Sequence, residues 1–173
     1  MTGKEFGSHS KDNAAGGLPG CAEEREEAGT DVMKGDELLA FLNELLEAER
    51  AGVEASAAYR ANAGDATVSE LMEKIEEDGA RFCLALADLI TRLDGSPSSS
   101  TGHFYKRALA MESLGDRIAL LSRGQGWAVD RICEVLPRIR DDEVQGRLEE
   151  MANAHYQNKA SCDALVGPQQ AGA

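Results

Sequence analysis

Residues Asp94–Ser113, DGSPSSSTGHFYKRALAMES, interrupt a chain that otherwise reads as long amphipathic helices. Pro97 lacks an amide hydrogen and disfavours helix before it, and the serines around it compete for backbone hydrogen bonds. Only Phe104–Met111 within this break has a short helical pattern. On either side, apolar residues recur with a period near 3.6. The spacing predicts helix A from an Asp36 cap to about Ala63 and helix B from Asp65 or Ala66 to about Leu93. Helix C follows from a Ser113 cap to about Ile139, with Pro137 near its end. Helix D runs from a cap at Asp141 or Asp142 to about Val166. Each is about 25 residues, roughly 37 Å long at 1.5 Å per residue. The A–B and C–D connections are short and the B–C connection is long. That pattern predicts an all-α fold of two antiparallel hairpins joined by a crossover. An up-down-up-down bundle would not need so long a central connection.

The composition suits this reading. The 173 residues are 42% hydrophobic but only 5% aromatic. Such a length fits one domain, expected at 36–166 with a flexible 167–173 end. Residues 1–35 are rich in Gly, Ser, Ala and Glu and poor in large apolar groups, so a disordered N-terminal tail is expected there. The sequence GLPGC at Gly17–Cys21 lacks the apolar run of a lipoprotein signal. A formal net charge of -13 argues against a nucleic-acid partner, which needs clustered Lys and Arg. No apolar run approaches the roughly 20 residues needed to span a bilayer, so no membrane partner is expected. Cys21, Cys83, Cys133 and Cys162 are scattered without a CxxC, and four reduced thiols in a cytoplasmic protein are the expectation.

At about 100° per residue the buried face of each helix can be read off. Helix A presents Leu38, Leu42, Leu45, Glu49, Val53 and Ser56, while Glu47 falls on the opposite side. Helix B presents Val68, Leu71, Ile75, Gly79, Phe82, Leu86, Leu89 and Leu93. Its acids Glu76 and Glu77 point outward, with Asp78 on the flank. Helix C presents Leu114, Ile118, Leu121, Gln125, Val129, Ile132 and Leu136, and Trp127 points elsewhere, toward the crossover or a second subunit. Helix D presents Val144, Leu148, Met151, His155, Asn158, Cys162 and Leu165. Glu49, Gly79, Gln125 and His155 lie near the midpoints of their helices. Antiparallel packing therefore brings them to one level.

The segments LNELLEAERAG, EEDGARFCLAL, FYKRALAM, RGQGWAVDRICEVLPRI and HYQNKASCDAL together resemble the ferritin-like superfamily. The chain is most similar to a bacterial ferritin-like domain family without an established function, of which RGQGW looks like a signature. The resemblance covers about 36–166 and implies a ferritin-like four-helix bundle. It also implies a comparison with di-iron members, which carry one Glu on each of two helices and a Glu-x-x-His on each of the other two. Glu49 and His155 match that pattern. Gly79, Phe82, Gln125 and Ala152 stand where other ligands would be, so an intact di-iron centre is not expected.

Two chemistries remain for the mid-bundle level. Glu49, Gln125, His155 and Asn158 could form a buried hydrogen-bond network or bind a small ligand. Alternatively, Glu49 and His155 could hold a single metal ion, with Asp78 or Cys83 as third ligand; no other cofactor is expected. The functional expectation is a non-catalytic or weakly metal-binding protein of uncharacterised role, with a homodimer through the Trp127 surface as the candidate assembly. The rival is a single-metal or thiol-dependent enzyme using Glu49, His155 and Cys83. Gly79 is expected to leave room beside Glu49, and Arg50, Arg81 and Arg123 to form exposed ion pairs.

Overall fold

The computed structural model describes Cys21 and residues 31–167, and every described element is helical. Helix α1 spans Gly35–Arg60, α2 Ala66–Arg92, α3 Phe104–Leu109, α4 Leu114–Val135 and α5 Asp142–Val166. The caps explain most boundaries. Asp65 accepts from the Val68 amide, Ser113 from the Asp116 amide and Asp141 from those of Glu143 and Val144. The expected Asp36 cap of α1 is not formed. Lys34 occupies that place without a side-chain bond, and Asp36 sits in the first turn, where its charge favours the positive end of the helix dipole. Helix α4 also stops earlier than expected. Pro137 cannot continue the amide ladder, and Leu136–Arg138 tighten into a single 3-10 turn.

Helices α1 and α2 pack as one antiparallel pair and α4 and α5 as the other. The core divides into two apolar clusters. One gathers the N-terminal half of α1, the C-terminal halves of α2 and α4 and the N-terminal half of α5, including Leu42, Leu45, Phe82, Leu86, Ile132 and Leu148. The other joins the opposite ends through Tyr59, Met72, Ile75, Ile118, Leu121 and Cys162, with α3 contributing Ala108. Paired helices are thus antiparallel within and between hairpins. The end residues Leu114 and Leu165, expected on the buried faces, are 40% and 38% exposed because they overhang the second cluster.

The crossover is fastened along the outer side of α1. Asn43 accepts from the Ser98 amide at 2.6 Å and donates to the Ser96 carbonyl. The Glu47 carboxylate accepts from the Ser98 hydroxyl, Arg50 donates to the Ser98 and Ser100 carbonyls, and Glu54 accepts from Thr101. Asn43, Glu47, Arg50 and Glu54 follow the helical 4-3-4 spacing, so one polar stripe faces the strap. Arg50 is therefore a crossover anchor rather than the exposed partner of a neighbouring acid. The Gly102 amide donates to the Glu47 carbonyl at 2.9 Å, and a Cβ at Gly102 would stand 3.1 Å from that oxygen.

Part of the expected N-terminal tail is held by the fold. Cys21 is 6% exposed within the first cluster and forms a disulfide with Cys133, across a Cα–Cα distance of 5.2 Å. The Met33 amide donates to the Arg138 carbonyl. The expectation of four reduced thiols is corrected: Cys83 and Cys162 are free, and the other two are paired. The remaining expected tail residues, 1–20 and 22–30, and the end at 168–173 lie outside the described residues. No helix among the described residues is long and apolar enough to cross a membrane.

Candidate functional site

Between the two apolar clusters lies a polar level. Glu49, Gln125, His155 and Asn158 are buried there from α1, α4 and α5, the level at which the helix midpoints were expected to meet. The imidazole of His155 links three helices. Its Nδ1 is 2.7 Å from Gln125 Oε1, and its Nε2 is 3.0 Å from Glu49 Oε1. A Gln carbonyl can only accept, so Nδ1 carries the proton in this contact. Nε2 differs: the Glu49 carboxylate is at ion-pair distance but off the ring N–H direction, so Nε2 has no aligned hydrogen bond. The Phe82 ring lies against the imidazole with centroids 5.6 Å apart, an apolar wall on that side.

Burial works against a charged imidazole, yet the Glu49 carboxylate beside it more than offsets that effect, and the His155 pKa is raised. Asn158 does not join this network. It donates to Asp78 at 3.0 Å and accepts from Lys74 at 2.6 Å. Asp78 is also held by Lys74 and Arg81. Desolvation pushes its carboxyl up, but these donors outweigh it and leave the pKa lowered. Asp78, read as a flank residue, is thus tied into the polar level.

Gly79 has a role beyond the one its small size suggests. A Cβ there would come within 2.8 Å of Val53 Cγ2 and 3.4 Å of Glu49 Oε2. A side chain there would collide with α1, so Gly79 sets the close approach of α1 and α2. Gly79 also lines, with Glu49, a cavity that opens toward α4. This cavity of about 540 Å³ runs from the polar level to the crossover, between α1, α3 and α4. Glu49, Gln125, His155, Asp78 and Asn158 line it at the buried end. Val53, Ile75, Leu120, Leu121, Ala128 and Phe104 supply apolar wall. Gly124 lets Phe104 lie against α4, where a Cβ would meet that ring at 3.3 Å. Trp127 lines the same cavity and is 38% exposed.

The cysteines sit outside this arrangement. Burial, then the charge of Glu49, pushes the Cys83 thiol up to about 11, the opposite of nucleophile activation. Cys162, pushed up to about 12 by burial, belongs to the second apolar cluster. Arg81 forms the exposed ion pairs expected of it, with Asp78 and Glu150. Arg123 has no such pair among the described residues and borders the cavity. The cavity, Arg107 and the two-sided role of Asp78 escaped sequence reasoning, and Arg123 was expected in an exposed ion pair rather than at a cavity rim. Their only sequence signal was the glycine spacing of RGQGW opposite the crossover aromatic.

The family model described as "Domain of unknown function (DUF6306)" matches residues 36–164. The chain belongs to this family. Neither a curated protein nor a solved structure gave a match. The matched region of this DUF6306 member contains every residue of the polar level and the cavity wall.

The donor set can be tested against a metal centre. Among the described residues, no three His, Cys, Asp or Glu side chains gather where a metal ion could sit. Glu49 and His155 provide two donors at one point. Asp78 is engaged by Lys74, Arg81 and Asn158, and Cys83 is held in its protonated form. Gly79, Phe82, Gln125 and Ala152 offer no carboxylate or imidazole. The residues present do not fit a two-metal carboxylate centre.

Proposed function

We propose that this domain is a ferritin-like bundle that binds a small organic molecule in the mid-level cavity and performs no di-iron chemistry. The observation carrying this reading is the cavity of about 540 Å³ that ends on a buried imidazole whose Nε2 lacks an aligned hydrogen bond. Ligand sites are typically concavities of about 300–1,000 Å³ with apolar walls and a few convergent polar groups. Here the apolar wall supplies affinity, while the polar side chains at the inner end, Glu49, Gln125 and His155, orient a polar atom of the guest. Catalysis is not part of the proposal, because the nearest thiol is held protonated and no nucleophile–base pair borders the cavity among the described residues.

The lone tryptophan makes this testable. Trp127 lines the cavity, so entry of a guest should change its emission saturably. Ala128→Leu places added bulk on the α4 wall and should abolish the change while the protein remains folded by circular dichroism. Unchanged emission across a chemically diverse fragment set would refute the reading, as would identical binding by the filled variant.

The 3.0 Å separation of Glu49 Oε1 and His155 Nε2 supports a second reading, in which both ligate one metal ion with water or a guest completing the shell. Elemental analysis of protein purified without a His-tag separates the two. One equivalent of metal, lost in Glu49→Ala, would favour the second reading over the first.

A further inference from the structure

We infer that the guest is an amphipathic organic anion, whose apolar body fills the cavity and whose acidic group is held at the rim by Arg107 and Arg123. This rests on the ligand-binding reading above and adds the chemical class.

Charged side chains of both signs border the cavity. Glu44, Glu47, Arg107 and Arg123 all border the cavity. The acids are engaged: Glu44 pairs with Arg131 at 2.9 Å, and the Glu47 carboxylate accepts from the Ser98 hydroxyl. The two arginines, on α3 and α4, have no ion pair or hydrogen bond among the described residues. Elsewhere Arg60, Arg81, Arg92, Arg131, Arg138 and Arg147 are each paired with a carboxylate. In a chain of net charge -13, the Arg107 and Arg123 guanidiniums border one apolar cavity without a carboxylate partner among the described residues, while Glu47 beside them keeps its charge and is turned to Ser98. Guanidinium groups match carboxylates and other planar oxyanions through their forked donors.

The walls define the rest of the guest. Phe104 and Trp127 flank the outer part, and Leu120 and Leu121 line it on α4, which suits an aromatic or branched apolar body. The inner end adds the polar side chains Glu49, Gln125 and His155, beside which a hydroxyl or carbonyl of the guest can lie, but the rim contact alone sets the preference for an anion.

Three probes with one body and different heads test this: phenylbutyrate, phenylbutanol and phenylbutylammonium. Each is titrated into the full chain with Trp127 emission and calorimetry as readouts. Phenylbutyrate should bind about five- to tenfold more tightly than phenylbutanol, the scale of two partly screened ion pairs, and phenylbutylammonium most weakly. In the double variant Arg107→Gln/Arg123→Gln that advantage should vanish while phenylbutanol binds as before. Both side chains are exposed, and an unchanged thermal midpoint confirms an intact fold. Equal binding of all three probes, a preference for the ammonium, or an anion preference surviving in the double variant would overturn the anionic class and leave the cavity reading standing. No binding by any probe would overturn both.

Discussion

Gly79→Ala separates close helix packing from spare volume at the middle of the fold. Alanine is favoured over glycine by about 1 kcal/mol in a helix interior, so in open space this substitution would stabilise α2 by that amount. The added Cβ would stand 2.8 Å from Val53 Cγ2, closer than carbon atoms tolerate. Val53 is β-branched and stiff on a helix, so relief requires an off-rotamer turn or a shift of α1. Overpacking of this kind costs about 1–3 kcal/mol. The net expectation is therefore between no change and a loss of about 2 kcal/mol. A second background isolates the cause. In Val53→Ala the nearest remaining atom is Glu49 Oε2 at 3.4 Å, and Gly79→Ala should then stabilise the protein toward the full helix-propensity gain. The coupling between positions 53 and 79 should be at least about 1 kcal/mol, readable from a double-mutant cycle by urea denaturation with far-UV circular dichroism. Stabilisation by Gly79→Ala of about 1 kcal/mol in both backgrounds, with no coupling, would refute the close approach of α1 and α2.

Other perturbations address the charges and thiols. The raised pKa of His155 means its protonated form contributes stability that is full below the ordinary value of 6.5 and is lost as pH rises through the folded value. Urea midpoints should fall over that interval, and His155→Gln should remove that component; Glu49 and Gln125 contact the ring, with Asp78 and Lys74 acting on it from α2. Reducing the Cys21–Cys133 bond, which spans 112 residues, should lower stability by about 2–4 kcal/mol, seen as a lower urea midpoint with dithiothreitol; an unchanged midpoint would count against the bond. Cys83, held protonated up to about 11, should resist iodoacetamide at neutral pH and react once the chain is unfolded in urea, which peptide mass mapping would resolve.

How much of this was legible in the sequence depended on whether the cause was periodic. Helical period alone placed Glu49, Gln125 and His155 on buried faces at matching heights, and all three are buried and in contact. The same period separated Glu47, which faces the crossover, from Glu49. Relations between helices were less accessible. Gly79 announced a missing side chain but not which neighbour had taken its volume, and Val53 decides that. Asn158 lay on the right face but pairs with Asp78 and Lys74, since helix rotation fixes a direction and not a partner. The Cys21–Cys133 pair, 112 residues apart, has no local spacing signal. The cavity depends on how far α4 stands from α1 once the crossover is fastened, a distance that no single-helix pattern encodes.

The polar level and the cavity are best understood as one feature. A buried acid–imidazole pair is weak evidence of stabilisation, since well-packed apolar residues of similar volume often serve stability as well or better. The flanking clusters show that apolar packing is readily achieved immediately above and below this level. Stability alone therefore does not account for Glu49, Gln125 and His155. Adjacent space changes the balance. Glu49 and His155 line the cavity, so solvent or a guest there lowers the desolvation cost of the charged forms. The fold creates that volume by tying the crossover to the outside of α1 and resting Phe104 on Gly124. Filling the cavity from the α4 side with Ala128→Leu would remove that solvation while keeping every polar-level residue. The His155–Glu49 pair should then become a net liability, and His155→Leu should be better tolerated in the filled protein than in the native one.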